Sequence, residues 1–190
     1  ASNAVAVSNL KAGYDGIVTI DELRTIDAPK EDGSVEKVVV SRMTEMRIDD
    51  PHTGMTLMTA NIGYGSKLFV ESGQEVHKGD IIAEWDPFNA VIVCEVAGKI
   101  RFKGVVAGVT YAAEIDGDTG LEERIVIESK DRTLVPEAEI LDPEQVDEEG
   151  NPIILRTYSF PVGAHIMIND GDEIKPGEIV VKINRTSSKA

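Results

Sequence analysis

GSKLFVESGQEVHKGDIIAEW, residues 65–85, and GAHIMINDGDEIKPGEIVVKI, residues 163–183, align without a gap at an offset of 98. Leu68, Val70, Val76, Gly79, Ile81 and Ile82 fall on Ile166, Ile168, Ile174, Gly177, Ile179 and Val180, while Gly65 and Gly73 fall on Gly163 and Gly171. Agreement of apolar phase and of glycines over 21 residues marks a duplicated unit. Alternation in residues 67–71 and 165–169 has the period of a strand, and Ser72-Gly73 or Asp170-Gly171 then supplies a residue that tolerates positive φ. Lys175-Pro176-Gly177-Glu178 predicts a type II turn, because proline fixes φ at its second position and glycine accepts positive φ at its third.

The duplication extends upstream with looser spacing. Residues 16–20 resemble 98–102, residues 38–41 resemble 125–128, and Ile48-Asp49-Asp50-Pro51 resembles Ile140-Leu141-Asp142-Pro143. The chain therefore reads as two tandem copies, 1–96 and 97–190, with strand exchange between them considered around 86–98. The second copy carries extra acidic loop sequence from Glu144 to Glu149. Short alternating strands between turn signals predict an all-β protein, each copy a small partly closed barrel or sandwich. One short helical turn is expected near Leu134 to Ile140.

Of 190 residues 42% are hydrophobic, enough to fill real cores. Nineteen Lys and Arg against 34 Asp and Glu give a net charge of -15, which repels phosphate backbones, and 5% aromatics offer little for bases to stack on. Direct nucleic-acid binding is not expected. Cys94, the one cysteine, sits in an apolar strand and reads as a small buried hydrophobe in a reducing compartment. No apolar run approaches a membrane span and the N-terminus has no secretory pattern, so a soluble, cytoplasmic protein without membrane contact is expected. Ser2-Asn3-Ala4 reads equally as a tag scar or as native sequence.

EWDPFNAVIVCE, residues 84–95, is expected to form a hairpin turning through Asp86, Pro87, Phe88 and Asn89. In biotinyl and lipoyl carriers such a hairpin bears the lysine whose ε-amine takes the cofactor. Residues 86–90 contain no lysine, nor do residues 184–188 at the matching place in the other copy, so barrel geometry is kept and carrier function set aside. Asp116-Gly-Asp118 and Asp170-Gly-Asp172 read as solvated turns, because a calcium loop begun at Asp116 would place Gly120 and Ile127 at ligand positions. His52, His77 and His165 share no ligand spacing. No nucleophile elbow, phosphate loop or Cys-x-x-Cys is present. No catalytic, cofactor-binding or metal-binding residue is assigned. Trp85 is expected to fill core, while Phe88 and Asn89 at the turn and the acidic Glu144, Asp147, Glu148 and Glu149 are the candidate protein-contact residues.

Residues 79–102, GDIIAEWDPFNAVIVCEVAGKIRF, followed by DGDTGLEERIVIES at 116–129 and FPVGAHIMINDGDEIKPGEIVVKI at 160–183, resemble the lineage-specific insertion in the beta-prime subunit of bacterial RNA polymerase, in its Bacteroidetes-like form. The resemblance covers essentially the whole chain, and its last nine residues look like the flank where that insertion rejoins the subunit. It implies two tandem sandwich-barrel hybrid motifs, interrupting the mobile trigger loop near the secondary channel and jaw and affecting elongation, pausing, transcript cleavage and access of channel-binding factors. Implied partners are the jaw, the trigger loop, the secondary-channel rim and those transcription factors. The magnesium and zinc of the parent nucleotidyltransferase would lie elsewhere, because its Asn-Ala-Asp-Phe-Asp-Gly-Asp motif and zinc cysteines are absent here. Glu114-Ile115-Asp116-Gly117-Asp118 shares only the last three letters of that motif. The alternatives are a biotin- or lipoate-type carrier fragment and a free-standing β-barrel binding module.

Overall fold

The computed structural model describes residues 7–185, so Ser2-Asn3-Ala4 and the positions past Arg185 read as a polymerase flank lie outside the described residues. The chain divides into two compact units, Ala1–Phe88 and Asn89–Ala190. The first contains β1 (Ser8–Lys11), β2 (Gly16–Ile20), β3 (Thr25–Pro29), β4 (Val35–Val39), β5 (Met43–Asp49), β6 (Thr56–Gly63), β7 (Lys67–Leu68), β8 (Glu75–Val76) and β9 (Ile81–Trp85). The second contains β10 (Asn89–Val93), β11 (Gly98–Lys103), β12 (Tyr111–Ile115), β13 (Glu122–Val126), β14 (Glu137–Val146), β15 (Pro152–Ser159), β16 (His165–Ile166), β17 (Glu173–Ile174) and β18 (Ile179–Asn184). No helix occurs among the described residues, hence none able to cross a membrane.

The first unit forms sheets β1-β9-β7-β4-β3 and β6-β5-β2-β8; the second forms β10-β18-β16-β13-β12 and β15-β14-β11-β17. Raising every label by nine converts one pair of sheets into the other. Registers agree as well: Val18 faces Ile48 as Ile100 faces Ile140, and Val38 faces Lys67 as Ile125 faces His165. The turn predicted at 175–178 is present, with the Glu178 N–H donating to the Lys175 carbonyl across Gly177 at φ 89°. The first unit repeats it from Asp80 to His77 across Gly79 at φ 97°. Gly16 and Gly98 are held by a different constraint. A Cβ on Gly16 would lie 2.6 Å from the Asp49 carbonyl oxygen, and on Gly98 2.5 Å from that of Leu141, so only glycine lets these strands approach.

Each unit encloses its own core, built around Val18, Val39, Ile48, Val76 and Ile82 in one and Ile100, Val126, Ile140, Ile174 and Val180 in the other. Across three adjacent strands the first unit packs Ile20, Met46 and Ala60, and the second packs Phe102, Ala138 and Tyr158 at the same positions. Large and small side chains exchange places along this row, which keeps the space between sheets filled to crystal-like density.

Several expectations are corrected. Residues 84–95 are not a hairpin: β9 pairs with β1 and β7, whereas β10 pairs with β18. Each copy covers its last strand with its own first strand, so Asp86–Phe88 is a connection between units, and the second compact unit begins at Asn89 rather than at 97. With the units divided at Phe88 and Asn89, every sheet draws its strands from a single unit. The expected helical turn is absent, because β14 starts at Glu137 and the Pro136 carbonyl accepts from Phe160 N–H in a strand-like ladder. The acidic stretch after Leu141 is only partly loop. Glu144 belongs to β14, and the turn proper runs from Asp147, whose N–H donates to the Asn151 carbonyl.

Candidate contact surface

Phe88 is 51% exposed at the end of the first unit, just after Asp86 Oδ1 accepts the Phe88 N–H at 2.7 Å. That short-range acceptor orients the connection locally, in an Asx turn. Asn89 opens β10 opposite Asn184 and is half-buried. Trp85 was expected in the core; it is half-buried and outside the core cluster, since it ends β9 opposite Ser8, where the sheet stops.

Glu144, Asp147, Glu148 and Glu149 are all exposed on one hairpin of the second unit, β14–β15. They belong to a different unit from Phe88. Their roles differ. Asp147 Oδ1 accepts the N–H groups of Glu149 and Asn151, each at 2.9 Å, and so shapes the turn. The hairpin also exposes Val146, Ile153 and Ile154, which sequence reading passed over because β15 had not been separated from the acidic stretch before it.

Of the Asp-Gly-Asp turns singled out in the sequence, the first carboxylate of each accepts backbone N–H groups. Asp116 Oδ1 accepts from Asp118 N–H at 2.8 Å and from Thr119 N–H at 3.3 Å, and Asp50 Oδ1 does the same for His52 and Thr53. Asp170 Oδ1 accepts from Phe102 N–H at 2.8 Å. The two bonds from His52 and Thr53 hold the Asp50 carboxyl below its ordinary range, and those from Gln145 and Glu144 do so for Asp142. No group of three potential metal ligands clusters among the described residues. His77 stands 4.0 Å from Asp80, and His165 stands 4.0 Å from Glu123. The latter pair occupies the place of Lys67 and Glu36, 3.5 Å apart, in the other unit.

Two polar groups, one buried and one half-buried, escaped the sequence reading. Glu139, 5% exposed, accepts from Arg101 Nε at 2.9 Å and Nη2 at 2.8 Å. The Tyr158 hydroxyl accepts the Glu95 N–H at 2.9 Å, and burial raises its pKa. Cys94 is fully buried, burial pushes its thiol up, and its Sγ donates to the Val96 carbonyl. Its backbone bonds to residues 177 and 178 are those Ala12 makes to 79 and 80, so cysteine stands where the first unit has alanine. An inert, apolar thiol is the chemical consequence.

No family model matches the chain. Over its whole length it is 53% identical across 191 residues to DNA-directed RNA polymerase subunit beta' of Parabacteroides distasonis, and 48% identical across 190 residues to that of Bacteroides fragilis. The corresponding subunit of Flavobacterium psychrophilum is 41% identical across 182 residues, covering 96% of the chain. The chain spans only 13% of the length of the first two relatives and 12% of the third.

Proposed function

Since the chain matches, over its whole length, one segment of the beta' subunits of bacterial DNA-directed RNA polymerase, we propose that it serves DNA-templated transcription as a non-catalytic insertion in the trigger loop of such a subunit. The observation that carries this reading is full coverage of the chain against 13% coverage of its relatives.

The chemistry supports an indirect role. The carboxylates of Asp50, Asp116, Asp142 and Asp147 accept backbone N–H groups in turns, and the lone thiol is buried. Nucleotide addition, with its magnesium and zinc, would belong to the rest of the polymerase. The module acts through contacts with the jaw, trigger loop, secondary-channel rim or channel-binding factors, stronger in one trigger-loop state than in the other. Only such a difference shifts an equilibrium, and about 1.4 kcal/mol changes the ratio of states tenfold.

The test is the reading frame around this segment. Trigger-helix sequence on both sides is expected; a frame encoding no polymerase on either side would overturn the proposal.

A further inference from the structure

We infer that the β14–β15 hairpin docks, through its exposed aliphatic and acidic side chains, onto a basic surface with an apolar floor elsewhere in the parent polymerase. The inference rests on the polymerase reading and deepens it by naming a docking element.

The two units supply the contrast. In the first, Asp50 begins the β5–β6 connection, its Oδ1 accepting the N–H groups of His52 and Thr53, and the turn closes at once when Asp50 N–H donates to the Met55 carbonyl. In the second, Asp142 makes the same opening, its Oδ1 accepting from Glu144 at 2.9 Å and Gln145 at 3.0 Å. There the chain runs on. It pairs Val146 with Pro152, turns at Asp147 to Asn151, and returns through Ile153 and Ile154.

This extension exposes Val146 by 57% and Ile154 by 46%. Val146 and Pro152 face one another across the ladder, and Ile154 follows two residues on, so strand alternation puts all three on one side. The shorter turn of the first unit closes its hairpin without such an extension, and in the second the added aliphatic groups share one side, as a contact patch requires. Glu144, Glu148 and Glu149 are exposed on the same hairpin, and the chain as a whole carries -15. That combination favours lysine- and arginine-bordered protein and disfavours nucleic acid. The remainder of the parent polypeptide, most of its length, is tethered to the hairpin and so present at high effective concentration, which makes the polymerase itself the fitting occupant.

The test uses purified, factor-free polymerase elongation complexes carrying a photoreactive benzoylphenylalanine in place of Ile154, with the same group in place of the 66%-exposed Met55 as control. The expected result is a specific product from position 154, mapped by mass spectrometry to a lysine- or arginine-rich polymerase segment. Its yield should fall about tenfold when Glu144→Lys, Glu148→Lys and Glu149→Lys are combined, because interface charge sets encounter and register. Asp147 stays unchanged because it shapes the turn. No product above the Met55 control, a product insensitive to charge reversal, or crosslinking to nucleic acid would overturn the inference. A negative result beside polymerase sequence on both flanks removes the docking surface alone; absence of polymerase sequence removes the reading on which it rests.

Discussion

The two units share nine strands, their order and their registers, yet they differ in how the interior is filled and in one hairpin. Backbone-determined positions are common to both. Gly16 and Gly98 each sit against a carbonyl that a Cβ would strike, and Gly79 and Gly177 each hold positive φ in the same turn. Side-chain positions drift in compensating pairs. The Ile20-Met46-Ala60 row becomes Phe102-Ala138-Tyr158, and the aliphatic Ile62 becomes Phe160, whose ring meets Phe102 edge to face at 5.7 Å. The difference teaches that close backbone approach admits one residue, whereas a packed layer admits any set of roughly equal volume.

Substitution at the shared glycines should have the largest effect. Gly98→Ala places a methyl 2.5 Å from the Leu141 carbonyl oxygen, and a loss of about 3 kcal/mol or more is expected in urea unfolding. Gly16→Ala should behave alike, and a tolerant first unit would break the equivalence. Next comes the exchanged row. Met46→Ala should cost about 2 to 5 kcal/mol by leaving a cavity, and Ala138→Met about 1 to 3 kcal/mol by overpacking. Adding Phe102→Ile to Ala138→Met should recover part of that loss; strict additivity of the two would show that the row is not a coupled layer.

A smaller effect is expected where the units differ in charge. Thr19 faces Arg47 in the first unit, whereas Arg101 faces the buried Glu139 in the second. Glu139→Gln should cost about 1 to 2 kcal/mol, since Arg101 keeps access to water when its partner is neutral. The smallest effect concerns Asp50 and Asp142, whose carboxyls are held low by backbone donors. A depressed folded pKa adds stability above the unfolded value near about 3.9, and that stability disappears as pH falls through the folded pKa. Asp50→Asn combined with Asp142→Asn should therefore flatten the acid side of the stability profile, with a small loss at neutral pH that vanishes as pH falls through the folded pKa values.

The repeat was legible because glycine turns and strand alternation are written locally. The offset of 98 placed β7 to β9 on β16 to β18, and the looser upstream match placed Ile48 on Ile140, in the registers observed. The first strand of each unit was not legible. Ser8–Lys11 and Asn89–Val93 occupy equivalent places with little likeness in sequence, since each needs only to pair along one edge of a sheet. Missing β1 made β9 and β10 look like partners of one another. The contact residues were legible as exposed charge, but Val146 and Ile154 were not, because exposure of an aliphatic residue in a strand depends on what the fold puts opposite it.

The most direct test of the account is removal of residues 8–184 from the parent polymerase, with comparison of nucleotide addition, pausing and transcript cleavage on one template. The account predicts an enzyme that still adds nucleotides but pauses or cleaves at altered rates. Unchanged kinetics in all three would contradict a regulatory insertion, and complete loss of nucleotide addition in a correctly assembled enzyme would contradict its non-catalytic character.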